Sequence, residues 1–306
     1  MDLSQKIDVV NYITPREFNT RYFKPQKPVV MKGLAKNTFA GKHWSIDYFK
    51  QTMGHNIIDV YDNQKKNNAS ANTCADLKMK LGDFLDSIQK QEPSDLRIFL
   101  YNMFKHNREL KNEFPCPGLF NGVLDNIGHM FFGGKDTTVR IHYDIDMSNV
   151  LHTHFGGKKR VVLIAPEYNE FLYRLPLNTY SLVDLDKPDY KKYPALELVK
   201  GYDFIIEPGD SVFMPSGYWH YMTYLEAGFS VSYRKIAPTL PTKYKGFMNL
   251  CVHMPIDKLA NKLIGPQWLE TKKRIAERRA NLAIEREYSG TTPNVILNKY
   301  HGHWFI

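Results

Sequence analysis

Between residues 129 and 235 the chain breaks into eight short β runs separated by glycines and prolines. They are His129 to Phe132, Thr138 to Asp144, Asn149 to Phe155, Lys159 to Ala165, Tyr202 to Glu207, Ser211 to Met214, Trp219 to Tyr224 and Gly228 to Arg234. So many short strands in about a hundred residues point to a double-sheet jelly roll or barrel. Pro208-Gly209-Asp210 reads as a turn between two of them, and 166–200 as a longer excursion.

The flanks have a different texture. Residues 1 to about 120 read as mixed α/β. Thr14, Pro15 and Glu17 form a helix start in which Thr14 caps and Pro15 fits the first turn. Ser45 caps a second helix, and Leu81 to Ile88 is amphipathic. Strands are expected at Pro28 to Gly33, Ile57 to Tyr61 and Arg97 to Tyr101, with a polar loop over 62–72. After Pro238 the pattern is helical, with a break at Gly265-Pro266 and a long helix from Gln267 to Tyr288. On that helix Trp268, Ile275 and Leu282 repeat every seven residues, a spacing that fits a dimer seam. The expected organisation is a domain over 1–240, with its barrel core at about 129–235, and a helical region over 241–306.

Composition bounds the rest. Three cysteines, Cys74, Cys116 and Cys251, are too few and too scattered for a disulfide framework or a zinc motif, and suit a reducing cytosol. The polar start, Met1 to Lys6, is no signal peptide, and no apolar run reaches membrane-spanning length, so a cytoplasmic protein is expected. Asn68-Ala69-Ser70 matches a glycosylation sequon that carries no weight without secretion. The net charge of +9 suits a basic soluble enzyme and leaves room for a polyanionic partner such as RNA.

Within the β region, His142 and Asp144 are two apart, and His220 follows Asp144 by 76 positions. Alternation along a strand turns His142 and Asp144 to one face and Tyr143 to the other. A closed β barrel brings His220 to them. Two imidazoles and a carboxylate on one face of a metal form a facial triad that leaves positions open, the donor set of non-haem Fe(II) chemistry. His152-Thr153-His154 and His301-Gly302-His303 repeat the imidazole spacing without a carboxylate beside them and are set aside as metal sites. Tyr218 and Trp219 are expected to pack around His220.

The His142-Tyr143-Asp144 triplet is followed by Gly157-Lys158-Lys159-Arg160-Val161-Val162-Leu163, and His220 follows the Pro208 to Pro215 turn and strand. This combination resembles the JmjC/cupin-like Fe(II)- and 2-oxoglutarate-dependent dioxygenases, in their asparaginyl-hydroxylase and tRNA wybutosine-hydroxylase branches. Asp184 to Tyr190 with Tyr193-Pro194, Pro28-Val29-Val30 and Leu81 to Leu85 extend the likeness over most of the chain. The resemblance implies a mainly β fold: a double-stranded β-helix (jelly roll, cupin) core with N-terminal α/β decoration and C-terminal helices. It implies that His142, Asp144 and His220 bind Fe(II), and that 2-oxoglutarate is the co-substrate. Lys159, rather than its neighbour Lys158, is then the cation for the distal carboxylate, because a buried carboxylate needs a charged partner.

Further co-substrate contacts are expected from Asn149, one position out of the usual register, and from Ser232 and Arg234, which share a strand face with Ser230. The family's carboxylate-binding Thr is replaced by Val139, so Thr138 or Arg140 is expected to substitute. The family's Tyr is replaced by Phe99, with Tyr101 two residues on as its stand-in. The expected activity is hydroxylation of a macromolecule, a protein side chain slightly ahead of a tRNA nucleoside, by a homodimer joined through its C-terminal helices. A non-catalytic cupin-like metal-binding module is the alternative that Val139 and Phe99 feed. A zinc hydrolase is the weakest reading, since no general base stands beside the triad.

Overall fold

The computed structural model describes residues 1–62, 75–120 and 128–289. Cys74, the Asn68-Ala69-Ser70 sequon, most of the 62–72 loop and the His301-Gly302-His303 pair lie outside them. The strands in chain order are β1 Asp8–Val10, β2 Val29–Met31, β3 Ile57–Asp62, β4 Leu77–Lys80, β5 Leu96–Asn102, β6 His129–Gly133, β7 Thr138–His142, β8 Asn149–His154, β9 Lys159–Ile164, β10 Gly201–Ile206, β11 Ser211–Met214, β12 Trp219–Tyr224 and β13 Gly228–Lys235. All eight runs expected between 129 and 235 are strands, with ends within about one or two residues. The sequence reading did not include β1 and β4. Both are short, and β4 alternates the half-buried Leu77 and Met79 with the exposed Lys78 and Lys80, as an edge does.

Two sheets result, a nine-stranded one in the order β1-β2-β11-β8-β13-β6-β5-β3-β4 and a four-stranded one in the order β10-β9-β12-β7. They face each other as the double-stranded β-helix of the resemblance, and side-chain alternation makes three apolar layers. Val150, Val161, Leu163, Ile206, Val212, Met214 and Met222 meet between the sheets. The outer face of the large sheet packs Leu151, Phe213, Phe229 and Tyr233 against the N-terminal helices through Phe18, Phe49 and Phe84. The outer face of the small sheet packs Ile141, Val162, Ile164, Trp219 and Tyr221 against the 166–200 excursion.

Local chemistry explains the element ends. Thr14 caps the helix Pro15–Phe18 in a full capping box with Glu17. The Ser45 hydroxyl accepts from the Tyr48 amide at the start of Ile46–Met53. Gly209, at φ +90°, makes the turn before β11, and Asp210 closes it by accepting from the Glu207 amide at 3.0 Å.

After the barrel, helix Leu240–Met248 leads to a second helical stretch, Met254–Ser289, that breaks at Ile264 (φ −139°) just before Gly265-Pro266. Its far half docks Ala276 and Ala280 on the small-sheet layer. A buried Lys272–Asp257 ion pair of 2.9 Å, joined by the Trp268 indole donating to Asp257 at 2.7 Å, ties that half back to the first. The seven-residue stripe of Trp268, Ile275 and Leu282 is therefore not the face turned to the barrel. Leu282 is exposed, and Trp268 spends its N–H inside the chain. Among the described residues no helix is long and apolar enough to cross a membrane.

Candidate metal centre and co-substrate pocket

β7 and β12 pair antiparallel, and His142 stands directly opposite His220. β7 ends at His142, and the chain turns so that Tyr143 packs its ring edge-on to Trp219 (centroids 5.0 Å apart) while Asp144 swings inward. One donor atom from each of His142, Asp144 and His220 lies within 4.8 Å of the others, the only such cluster of three among the described residues. The two imidazoles are tied back alike. Nδ1 of His142 faces the Arg140 carbonyl at 2.7 Å, and Nδ1 of His220 faces the Tyr218 carbonyl at 3.2 Å. A carbonyl only accepts, so each Nδ1 carries the proton and each Nε2 keeps its lone pair for a metal.

The third donor is held by charge. Arg234 donates to Asp144 Oδ1 at 2.9 Å and to Asp146 Oδ1 at 3.0 Å. Burial pushes the Asp144 carboxyl up, but the Arg234 guanidinium, with the two imidazoles behind it, outweighs this and holds it down to about 2. Burial, and then the neighbouring His220, push His142 down to about 3. At neutral pH the set is two neutral imidazoles and a carboxylate, the state that a divalent metal requires. The residues fit a divalent ion with an open face.

That face opens on a cleft between the two sheets. Both sheets line it. Phe99, Phe131, Val139, Val150, Met214 and Met222 make the walls apolar, and His152, Lys159, Ser232 and Arg234 supply polar groups. Lys159 is 1% exposed, whereas Lys158 faces solvent. Its ammonium donates to Ser230 Oγ at 2.8 Å, reaches His152 Nε2 at 3.3 Å and sits 3.9 Å from the Tyr224 ring centre. No carboxylate among the described residues pairs with it, and burial drives it well below the usual lysine range. An unpaired buried cation in an apolar pocket is a site for an anion.

Three expected pocket residues lie elsewhere, and strand geometry gives the reason for each. Thr138 is not in the pocket. His142 pairs with His220 but Val139 pairs with Met222, so β7 carries an extra residue opposite Tyr221. That bulge reverses the alternation, brings Val139 to the inner face with His142, and turns Thr138 outward beside Thr223. Tyr101 is not in the pocket either. Ile98 pairs with Phe132 and Tyr101 with Met130, with Leu100 at φ +54° in the bulge between them. Phe99 faces the pocket, while Tyr101 stacks on His106 (4.9 Å) and accepts from the Asn56 amide at 3.1 Å. Asn149 faces out opposite Lys235, and its side-chain oxygen accepts from the Ser216 amide at 3.1 Å. Val150 holds the inward position on that strand.

Sequence reasoning passed over His152. As a metal ligand it belongs to no cluster of three donors among the described residues. Its position opposite Ser232, on a face with Val150 and His154, was readable from alternation once Ser232 was placed inward. Tyr180, from the 166–200 excursion, stacks on His142 (5.3 Å, 21°) and carried no sequence signal.

A model of the cupin-like domain matches residues 15–235. The chain is 26% identical over 224 residues to lysine-specific demethylase 8 of Xenopus tropicalis, covering 71% of this chain and 49% of that protein. It is 28% identical over 228 residues to lysine-specific demethylase 8 of Danio rerio, covering 71% and 55%. It is 25% identical over 242 residues to tRNA wybutosine-synthesizing protein 5 of Gallus gallus, covering 72% and 74%. The chain thus spans about half the length of the demethylases it matches. The match across the barrel, and relatives in Drosophila melanogaster and Dictyostelium discoideum that are named for the JmjC domain, make this chain a member of the cupin-like domain family, of the JmjC kind.

Proposed function

We propose that this chain is an Fe(II)- and 2-oxoglutarate-dependent dioxygenase that hydroxylates a macromolecular substrate, a protein side chain in preference to a tRNA nucleoside. One observation carries the reading: an open two-histidine, one-carboxylate centre shares a pocket with a buried lysine that has no carboxylate partner among the described residues. His142, Asp144 and His220 would hold Fe(II), and Lys159 would neutralise the distal carboxylate of 2-oxoglutarate. The bound metal supplies oxygen activation coupled to conversion of 2-oxoglutarate into succinate and CO2. The chain's own residues prepare the site. The Arg140 and Tyr218 carbonyls fix which imidazole nitrogen is free, Arg234 orients Asp144, and Val139, Phe99, Phe131 and Met222 exclude water.

Two relatives named for lysine demethylation support a protein substrate. The net charge of +9, and a relative named for wybutosine synthesis, support the tRNA alternative. Val139 and Phe99, apolar where the family carries hydroxyls, favour a second reading as a non-catalytic metal-binding module. Succinate formed from 2-oxoglutarate under Fe(II) and air is the deciding readout, and its absence in iron-loaded protein favours the module. An electrophoretic shift with bulk tRNA that collapses as salt rises supports RNA. We assign the active unit to residues 1–240. We further take the chain to be a homodimer joined through 241–306, where Tyr244, Phe247, Leu259 and Leu263 are all more than half exposed.

A further inference from the structure

A carboxylate has two oxygens, and a single ammonium satisfies one of them well. In a pocket walled by Phe99, Val139 and Met222 the other oxygen needs its own donor, because a buried unpaired charge is costly. The hydroxyls expected to provide it are absent: Thr138 and Tyr101 are turned out of the pocket by bulges in their strands. His152 lies beside Lys159, fully inside the barrel, with Nε2 at 3.3 Å from the ammonium. We infer that His152 is the second anchor of the co-substrate's distal carboxylate, gripping it beside Lys159, and that Ser232 sets the imidazole for this task. The inference rests on the dioxygenase reading of the pocket given above.

The hydrogen bonds show how the anchor works. The Lys159 ammonium only donates, so Nε2 of His152 accepts from it, Nδ1 carries the proton, and Nδ1–H donates to Ser232 Oγ at 2.8 Å. A carboxylate arriving at Lys159 requires the reverse, an N–H at Nε2. The imidazole must then change tautomer, giving up its proton at Nδ1 and taking one up at Nε2 by exchange with solvent entering with the anion, and rotation of the Ser232 O–H, which serves as donor or acceptor equally, lets it donate to the bared Nδ1. The imidazole then presents Nε2–H to the anion, and its net proton count is unchanged. A protonated imidazole is the costlier route, because burial first, then Lys159, His154 and His220, hold His152 well below the usual histidine range. Ser232 is thus a positioning residue acting through His152. Ser230, which accepts from the Lys159 ammonium at 2.8 Å and hydrogen-bonds His154 Nδ1 at 2.8 Å, does the same for the ammonium.

The test is anaerobic calorimetry of Fe(II)-loaded protein with two ligands: 2-oxoglutarate, and 2-oxopentanoate, which has a methyl in place of the distal carboxylate. His152→Phe is expected to weaken 2-oxoglutarate roughly ten- to a hundredfold, the scale of one lost hydrogen bond to a charged group, and to leave 2-oxopentanoate within about twofold. His152→Gln, which keeps a donor and a similar reach, is expected to recover part of the loss, and Ser232→Ala to show a smaller loss of the same selective kind. Unchanged 2-oxoglutarate affinity in His152→Phe and His152→Gln overturns the anchor, as does an equal loss of both ligands in both variants. If the parent protein itself binds no 2-oxoglutarate, the dioxygenase reading fails and the anchor with it, a result distinct from a parent that binds and variants that do not differ.

Discussion

The Arg234 guanidinium divides its two arms between Asp144 and Asp146, so the carboxylate of the triad is aimed before any metal arrives. Replacing Arg234 with Met keeps most of the buried volume and removes that aim. We expect metal affinity to fall about 10–100-fold, the usual cost of losing a partner behind a metal ligand, measured by titration with Co(II) as a spectroscopic stand-in. The buried basic groups make a second prediction. His129, His142, His152, His154 and His220 all have native pKa values pushed below their ordinary ones, chiefly by burial. For a base the sign is that the unfolded chain takes up protons that the native state refuses. Stability from the histidines is therefore complete above about pH 6.5 and is lost as pH falls from there toward 4 and 3, the native values of His129 and His142. Thermal melts of metal-free protein should fall steadily from pH 7 to pH 5; a flat profile would contradict the burial of these groups. At this scale the candidate cluster of His142, Asp144 and His220 was legible from two spacings, because donor type and alternation suffice to pick it out. The co-substrate residues were less so. A single-residue bulge inverts every inference from alternation beyond it, and Thr138 and Tyr101 each lie just past one.

The strands of the barrel were readable because both faces of each are committed. Their glycine and proline breaks fall at turns that only such residues make easily, as at Gly157 (φ +67°), where a Cβ would meet the Ala227 carbonyl oxygen at 2.7 Å. The C-terminal helix was readable as a helix but not in its facing. Its small residues Ala276 and Ala280, rather than the larger Trp268, Ile275 and Leu282, are what let it lie close to the small sheet. The tie that holds it there is Asp257, which accepts from Lys272, Trp268 and Asn178. Asp257→Ala leaves the fully buried Lys272 ammonium without its carboxylate and should cost about 3–5 kcal/mol. Chemical denaturation checks this, and an effect below about 1 kcal/mol would mean that the helix is held by its alanine face alone.

In the whole molecule the candidate site sits between two sheets, each backed by its own apolar layer, so the pocket is walled on both sides by packed structure. The helices beyond the barrel leave an apolar surface with no cover among the described residues. Light scattering should give twice the chain mass of 35.6 kDa, and Leu259→Glu with Leu263→Glu should halve it. A parent that is monomeric at micromolar concentration would remove the dimer. The central claim is that one pocket holds both a metal and an anionic 2-oxo acid. Anaerobic titration of Fe(II)-loaded protein with 2-oxoglutarate tests it most directly, through the weak visible charge-transfer band of the chelate. The account predicts a saturable band in the parent, none in Asp144→Ala, and one that needs far more 2-oxoglutarate in Lys159→Ala. No band in the parent at saturating iron and 2-oxoglutarate would contradict it.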